Sequence, residues 1–290
     1  YVIGIRFERT GEDPVYTGKL QKPPFIFRDQ DTGVQLVEGQ DYELVYPEGK
    51  GIDAGYVTVS LKGLASSNYY LADYTHGFEI RPATLTSISV TADALVYNGE
   101  AQTPTVHASA TAVNNQPVTF TYSTEKNGTY TETVPSFTDQ GTHTVYYRVT
   151  APNHYDASGS VEVTIAKKSL TGAKITLGDS LTYNGTEQTQ TVAKVETSDG
   201  MTVTTFDVKD NTGTNADEYE LTVTGTGSFE GSATLKWSIA RKPLTDPTIE
   251  IAGGNVYTGS ALTPTVTVKD GETVIPASEY TVRYDNNTNA

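Results

Sequence analysis

The sequence predicts an all-β chain built as a series of small two-sheet sandwiches. Three observations predict it. The first is a phrase that occurs four times: Val15-Tyr16-Thr17-Gly18, Val96-Tyr97-Asn98-Gly99, Thr182-Tyr183-Asn184-Gly185 and Val256-Tyr257-Thr258-Gly259. The second is composition: short apolar runs rich in Val, Thr and Tyr alternate with Gly, Asn, Asp and Pro, the pattern of strands and turns. The third is spacing. The four tyrosines stand 81, 86 and 74 residues apart. Solenoid repeats run at roughly 20–50 residues, so a period near 80 fits an independent domain with its own core.

The second copy shows how one repeat is built. Residues 85–90 alternate as a strand entry, and Leu95-Val96-Tyr97 leads into Asn98-Gly99, a dipeptide that favours positive φ and a tight turn. Residues 105–109 form a second strand. In Val118-Thr119-Phe120-Thr121-Tyr122 the residues Val118, Phe120 and Tyr122 fall on one face. Lys126-Asn127-Gly128 and Asp139-Gln140-Gly141 are turns. Residues 144–149 are the strongest strand of the chain, Ala151-Pro152-Asn153-His154 is a corner, and residues 160–165 close the domain. Six or seven short strands in about 82 residues, with no helix, fold most economically as a sandwich of immunoglobulin type. The motif glycines Gly18, Gly99, Gly185 and Gly259 mark the first turn of each copy, and the motif places that turn in the first hairpin.

The landmarks recur, which sets domains at 1–83, 84–166 and 167–242, with a fourth at 243–290. The turn before the penultimate strand reads Asp53-Ala54-Gly55, Asp139-Gln140-Gly141 and Asn215-Ala216-Asp217. The joints, 81–84, 166–169 and 240–243, are too short for flexible tethers. An elongated array follows, with each sandwich roughly 35–45 Å long. By comparison with the third copy, the fourth lacks its last two strands, about 26 residues. It is expected to expose sheet edges, and so to be poorly ordered or packed against a neighbour. The sequence reads as a piece of a longer precursor.

Charge and composition exclude several functions. Net charge is −15, spread over the four domains as −4, −5, −2 and −4. No basic patch is available to neutralise phosphates, so nucleic acid is not an expected partner. No apolar stretch reaches the 18 residues or more of a membrane span. Cysteine is absent, which removes thiol catalysis, thiolate metal sites and disulfides. His76, His107, His143 and His154 form no close pair, and no metal or other cofactor is expected. Asp29-Gln30-Asp31, Asp207–Asp210 and Asp285-Asn286-Asn287 are weighed as calcium ligands, but each lies at a turn, where Asp and Asn are favoured for backbone reasons. No nucleophile elbow or phosphate loop occurs, and paired carboxylates such as Asp217-Glu218 sit on turns rather than in a cleft. No catalytic residue is assigned and no enzymatic activity is expected. The second domain has a single lysine, Lys126, beside a turn, so no intramolecular Lys–Asn isopeptide bond is expected there.

Among 19 tyrosines, Tyr69, Tyr70 and Tyr74 crowd one segment and are the candidate residues for stacking on a sugar ring. Tyr146 and Tyr147 are adjacent, so one of them points away from the core. The repeated Tyr16, Tyr97, Tyr183 and Tyr257 are read as structural, because a position filled in every copy serves the repeat rather than a single ligand.

These residues resemble the bacterial immunoglobulin-like repeats of the MBG or YDG type. The carrying phrases are Val256-Tyr257-Thr258-Gly259-Ser260-Ala261-Leu262-Thr263-Pro264 with its strand to Val268, the stretch from Glu279 to Asn289, and the stretch from Gly141 to Tyr155. The resemblance covers nearly the whole chain; the first copy departs from it at residues 68–74. It implies a secreted or surface-anchored segment of a bacterial, Gram-positive cell-surface or cell-wall protein, acting as a stalk or adhesin repeat. The implied partners are neighbouring domains of a longer protein, and host or cell-wall glycans or surface proteins. The alternatives are a carbohydrate- or protein-binding array and accessory domains of a secreted enzyme.

Overall fold

A computed structural model describes residues 4–72, 74–253, 256 and 259–286 of the chain. Nearly all regular structure is strand; the only helical pieces among the described residues are two single turns at Val113–Asn115 and Ala277–Glu279. No described helix is long and apolar enough to cross a membrane. The chain divides into two compact units, residues 1–168 and 169–290.

The first unit holds two sandwiches of one design. In the second of them, Thr86–Ala92 pairs antiparallel with Val106–Thr111 as one sheet. The opposing sheet runs Thr119–Ser123, Gly141–Thr150, Ala157–Ala166 and Leu95–Val96. Leu95–Val96 pairs parallel with the last strand, Ile165 opposite Leu95 and Ala166 opposite Val96. The chain thus begins in one sheet and crosses to the edge of the other. Strict alternation on the central strand sends Val145, Tyr147 and Val149 inward. Val145, Val149 and Val163 are fully buried, with Phe120 and Tyr122 beside them. Tyr147 is the inward member of its pair. It lies across Gly159, where a Cβ would meet its hydroxyl, and Tyr146 faces the outer side of the sheet.

The first sandwich repeats this with a heavier core. Ile5–Arg9 pairs with Phe25–Asp29, and Tyr42–Val45, Gly55–Gly63 and Tyr74–Ile80 form the other sheet. Phe27, Val59, Leu61, Phe78 and Ile80 are buried between the sheets.

In the second unit, Lys174–Leu177 pairs with Val192–Glu196. Phe206–Lys209, Glu218–Gly225, Ser232–Ala240 and Leu181–Thr182 form the opposing sheet in the same order as before. Leu170, Val195, Val203, Leu221, Val223, Phe229, Trp237 and Ile239 are buried in it, and Trp237 stacks on Tyr219 at 4.6 Å. Beyond it, Pro247–Ala252, Thr265–Asp270 and Thr273–Ile275 make a three-stranded antiparallel sheet. Every residue of Pro247–Ala252 is exposed.

Candidate functional site

The repeated motif has one geometry in every copy where it is described. The backbone N–H of Tyr16 donates to the Arg81 carbonyl at 2.9 Å, that of Tyr97 to Ala166 at 2.9 Å, and that of Tyr183 to Ala240 at 2.8 Å. Each bond extends the parallel pairing between the segment before the tyrosine and the last strand of the same sandwich. The motif therefore does not turn a first hairpin, as its sequence suggests. It closes the sandwich by locking the crossed-over edge to the final strand. The glycines take positive φ, from +72° at Gly18 to +83° at Gly185, a region that only glycine enters without strain. In the second and third copies the asparagine carboxamide oxygen accepts the backbone N–H two residues on. A glutamine five residues after the tyrosine completes the device: the amide groups of Gln102 and Gln188 donate to the carbonyls of Val96 and Thr182. That glutamine recurs in three copies at one offset, as Gln21, Gln102 and Gln188, and stands as Leu262 in the fourth, but its bond to the carbonyl before the tyrosine is not readable from sequence. Gly259 has φ +82°, while Tyr257 lies outside the described residues.

Tyr16 does more than its counterparts. Tyr97 and Tyr183 are half-buried, but Tyr16 is only 2% exposed, because the second sandwich covers it. Its ring meets the His154 ring edge-on at 5.7 Å, and its hydroxyl accepts a hydrogen bond from the Gln116 amide at 3.1 Å. Gly18 lies against Asn114, so closely that a Cβ on the glycine would stand 2.9 Å from the Asn114 Cβ. Val113, in the same turn, packs on the core of the first sandwich.

The corner 151–154 is the other half of this joint. Asn153 adopts φ +62° and uses three groups at once. Its side-chain oxygen accepts the Ala54 N–H at 2.9 Å and its amide donates to the Asp53 carboxylate at 2.9 Å. Its carbonyl accepts the Ala83 N–H at 2.9 Å. Ala83–Thr84 pairs parallel with His154–Tyr155. His154 is buried, with Nδ1 2.7 Å from the Pro152 carbonyl and Nε2 accepting the Val113 N–H at 2.9 Å. That pattern gives both ring nitrogens a backbone partner. The connecting segment is thus built into the second sandwich, and the turn 53–55, read from sequence as a simple repeat landmark, is a docking point.

The remaining candidates are placed as follows. Tyr69 and Tyr74 pack on the core of the first sandwich, and Tyr74 meets Phe27 edge-on. Of the three candidate stacking residues Tyr70 alone is solvent-exposed. His76 sits against Phe7, and burial followed by the nearby Arg9 charge holds its pKa below the ordinary histidine value. Among the described residues no three His, Asp or Glu side chains converge as a metal site. The Asp29 carboxylate accepts the Asp31 N–H at 3.0 Å and the Thr32 hydroxyl at 2.7 Å, which is turn chemistry. In the second unit, Tyr183, Asn215, Arg241 and Tyr280 line a cavity of about 560 Å³. Lys242, Ser278 and Glu279 line the same cavity.

No protein-family model matches the chain, and no curated protein matches it in sequence. Solved structures that match the chain include Sidekick-1 immunoglobulin domains 1–5, at 10% identity and TM-score 0.31 over 96% of this chain and 72% of that one. They also include the protocadherin GammaB4 extracellular domain, at 12% identity and TM-score 0.28 over 95% of this chain and 55% of that one. Surface layer protein SbsC, domains 4–9, matches at 13% identity and TM-score 0.21 over 93% and 54%. The chain thus spans about half the length of the last two. Superposition at this level leaves the fold to be assigned from the strand order and crossed-over edge described above.

Proposed function

We propose that this chain is a non-catalytic spacer of an extracellular protein, a segment that holds other domains at a set distance and orientation. The observation that carries the reading is the joint between the first two sandwiches. Asn153 ties the strand-turn at Ala54, the carboxylate of Asp53 and the connecting residue Ala83, while Tyr16 and Val113 pack across the boundary. A tether meant to flex would leave these groups to solvent; here the backbone of the joint is hydrogen-bonded and its aromatic ring is buried. The resemblance to bacterial MBG/YDG repeats extends this to a stalk or adhesin segment of a secreted or surface-anchored protein on a Gram-positive cell. On that reading the partners are neighbouring domains of a longer protein and host or cell-wall glycans or surface proteins.

Residual dipolar couplings test the joint. In the wild-type chain, amides of residues 4–81 and 86–166 are expected to fit one alignment tensor. Asn153→Ala combined with Tyr16→Ala is expected to split them into two. Independent tensors in the wild-type chain would remove the basis for a spacer.

A further inference from the structure

We infer that the second sandwich carries a binding site for an acidic saccharide, on the outer face of its four-stranded sheet. The domain 84–166 contains two cationic side chains, Lys126 and Arg148, against seven carboxylates. Both cations line a single cleft of about 480 Å³, and no residue lining it is Asp or Glu. Neither cation forms an ion pair with a described residue. With no carboxylate paired to them, both charges are available to an anion from solution. Here strand register and a turn bring both to the one acid-free concavity.

The geometry explains what the cleft would hold. Arg148 and Tyr146 stand two residues apart on Gly141–Thr150, so both project from the outer face. Across the ladder, Ser158 lies opposite Arg148 and Ser160 opposite Tyr146, and both serines also line the cleft. The turn after Ser123 folds back over this face. Its Tyr130 hydroxyl donates to the Lys126 carbonyl at 2.9 Å, and the Arg148 guanidinium lies over the Tyr130 ring at 4.0 Å. Stacking engages a face of the guanidinium and leaves its in-plane N–H donors available for a planar anion. A carboxylate accepts two parallel N–H bonds from such a fork. The Tyr146 ring offers a sugar its apolar face, and the serine hydroxyls suit ring hydroxyls. A sugar ring bearing a carboxylate satisfies all of these groups together. A neutral sugar would leave two cations unpaired, and a bare inorganic anion would leave the aromatic wall and hydroxyls unused. The site is distinct from the Tyr69–Tyr74 segment and does not depend on the spacer reading.

The test is an amide NMR titration of the full chain at low ionic strength. The probes are a glucuronate-containing tetrasaccharide, a matched neutral tetrasaccharide and inorganic sulfate. Saturable shifts confined to residues around Lys126, Tyr130, Tyr146 and Arg148 are expected with the acidic probe. Its affinity should exceed that of either other probe by about tenfold, the worth of a charge-assisted contact. Arg148→Gln and Tyr146→Ala should each weaken binding about tenfold, and Arg148→Lys, which keeps the charge and loses the fork, should fall between. Lys126→Gln, on an exposed turn, supplies a variant that leaves the sheet untouched, and it too should weaken binding. Equal binding of the neutral probe, sulfate binding as tight as the saccharide, no saturable shift up to 10 mM, or variants that bind as the wild type does would each overturn the assignment.

Discussion

A single glycine shows how one residue position acquires two duties. Gly18 and Gly185 occupy equivalent places and both take positive φ. Replacing either with alanine forces an L side chain into a left-handed conformation, at a cost of about 1 kcal/mol. At Gly185 nothing lies within 4 Å of the added methyl, whereas at Gly18 it would strike Asn114. Gly18→Ala is therefore expected to destabilise more than Gly185→Ala, and to loosen the first joint as well; paired thermal melts check the ranking. Tyr16→Ala removes a ring buried across that joint and should cost about 3–5 kcal/mol, measured by urea unfolding. Tyr97→Ala, half-exposed, should cost less. Asp29 is one of the carboxylates that set acid behaviour at the first sandwich, with Asp13 beside Arg9 another. Hydrogen bonds from Thr32 and from the Asp31 and Thr32 backbone hold the Asp29 pKa below the ordinary aspartate value. A depressed native pKa contributes stability that is present above the unfolded value, near about 4, and disappears as pH falls through the lower native value. Asp29→Asn should flatten that acid limb in a pH series of melting temperatures.

At the scale of an element, the first strand of each sandwich matters most, because it serves both sheets. Its second half has only two paired residues, Leu95–Val96 or Leu181–Thr182, yet it covers the edge of the last strand. An uncovered edge would template pairing with another chain. The tyrosine N–H and the glutamine amide make so short a strand hold. Gln102→Ala and Gln188→Ala should each lower stability by about 1 kcal/mol. The third sandwich can be followed alone, since the only tryptophan, Trp237, is buried there. Leu221→Ala leaves a cavity in that core and should lower stability by about 2–5 kcal/mol in urea unfolding read by tryptophan fluorescence. The Pro247–Ala252 strand contrasts with these. Ile249 and Ile251 are 67% and 62% exposed, so Ile251→Thr should change stability by no more than about 0.5 kcal/mol.

At the scale of the molecule, the design is one sandwich reused with changes at its ends. In the first joint the changes are residues a repeat does not need for its own core: Asn153, His154, Gln116 and Val113. Their contacts join residues about a hundred positions apart, such as Asn153 with Asp53 and Gln116 with Tyr16. The same economy applies on the outer sheet face, where Lys126, Tyr130 and Arg148 are dispensable to the core and free to specialise.

Strand content and the alternation that separates the two faces of a strand were legible in the amino-acid order. Alternation, turn residues and a long period are local properties, written along the chain by the pleat and by φ preferences. Val145 and Val149 buried, and Phe120 and Tyr122 beside them, follow directly from that alternation. The role of the tyrosine motif was not legible, because the hydrogen bond from the Tyr97 N–H to the Ala166 carbonyl joins residues 69 positions apart and leaves no periodic trace. Nor could the order of residues tell which of Tyr146 and Tyr147 faces out, or that Tyr69 and Tyr74 turn inward. Those choices depend on which sheet face meets the opposing sheet. The repeat and its strands were thus settled locally, by backbone preference and side-chain period. The joint and the acid-free cleft were settled by long-range register, which alone brings distant side chains within reach of one another.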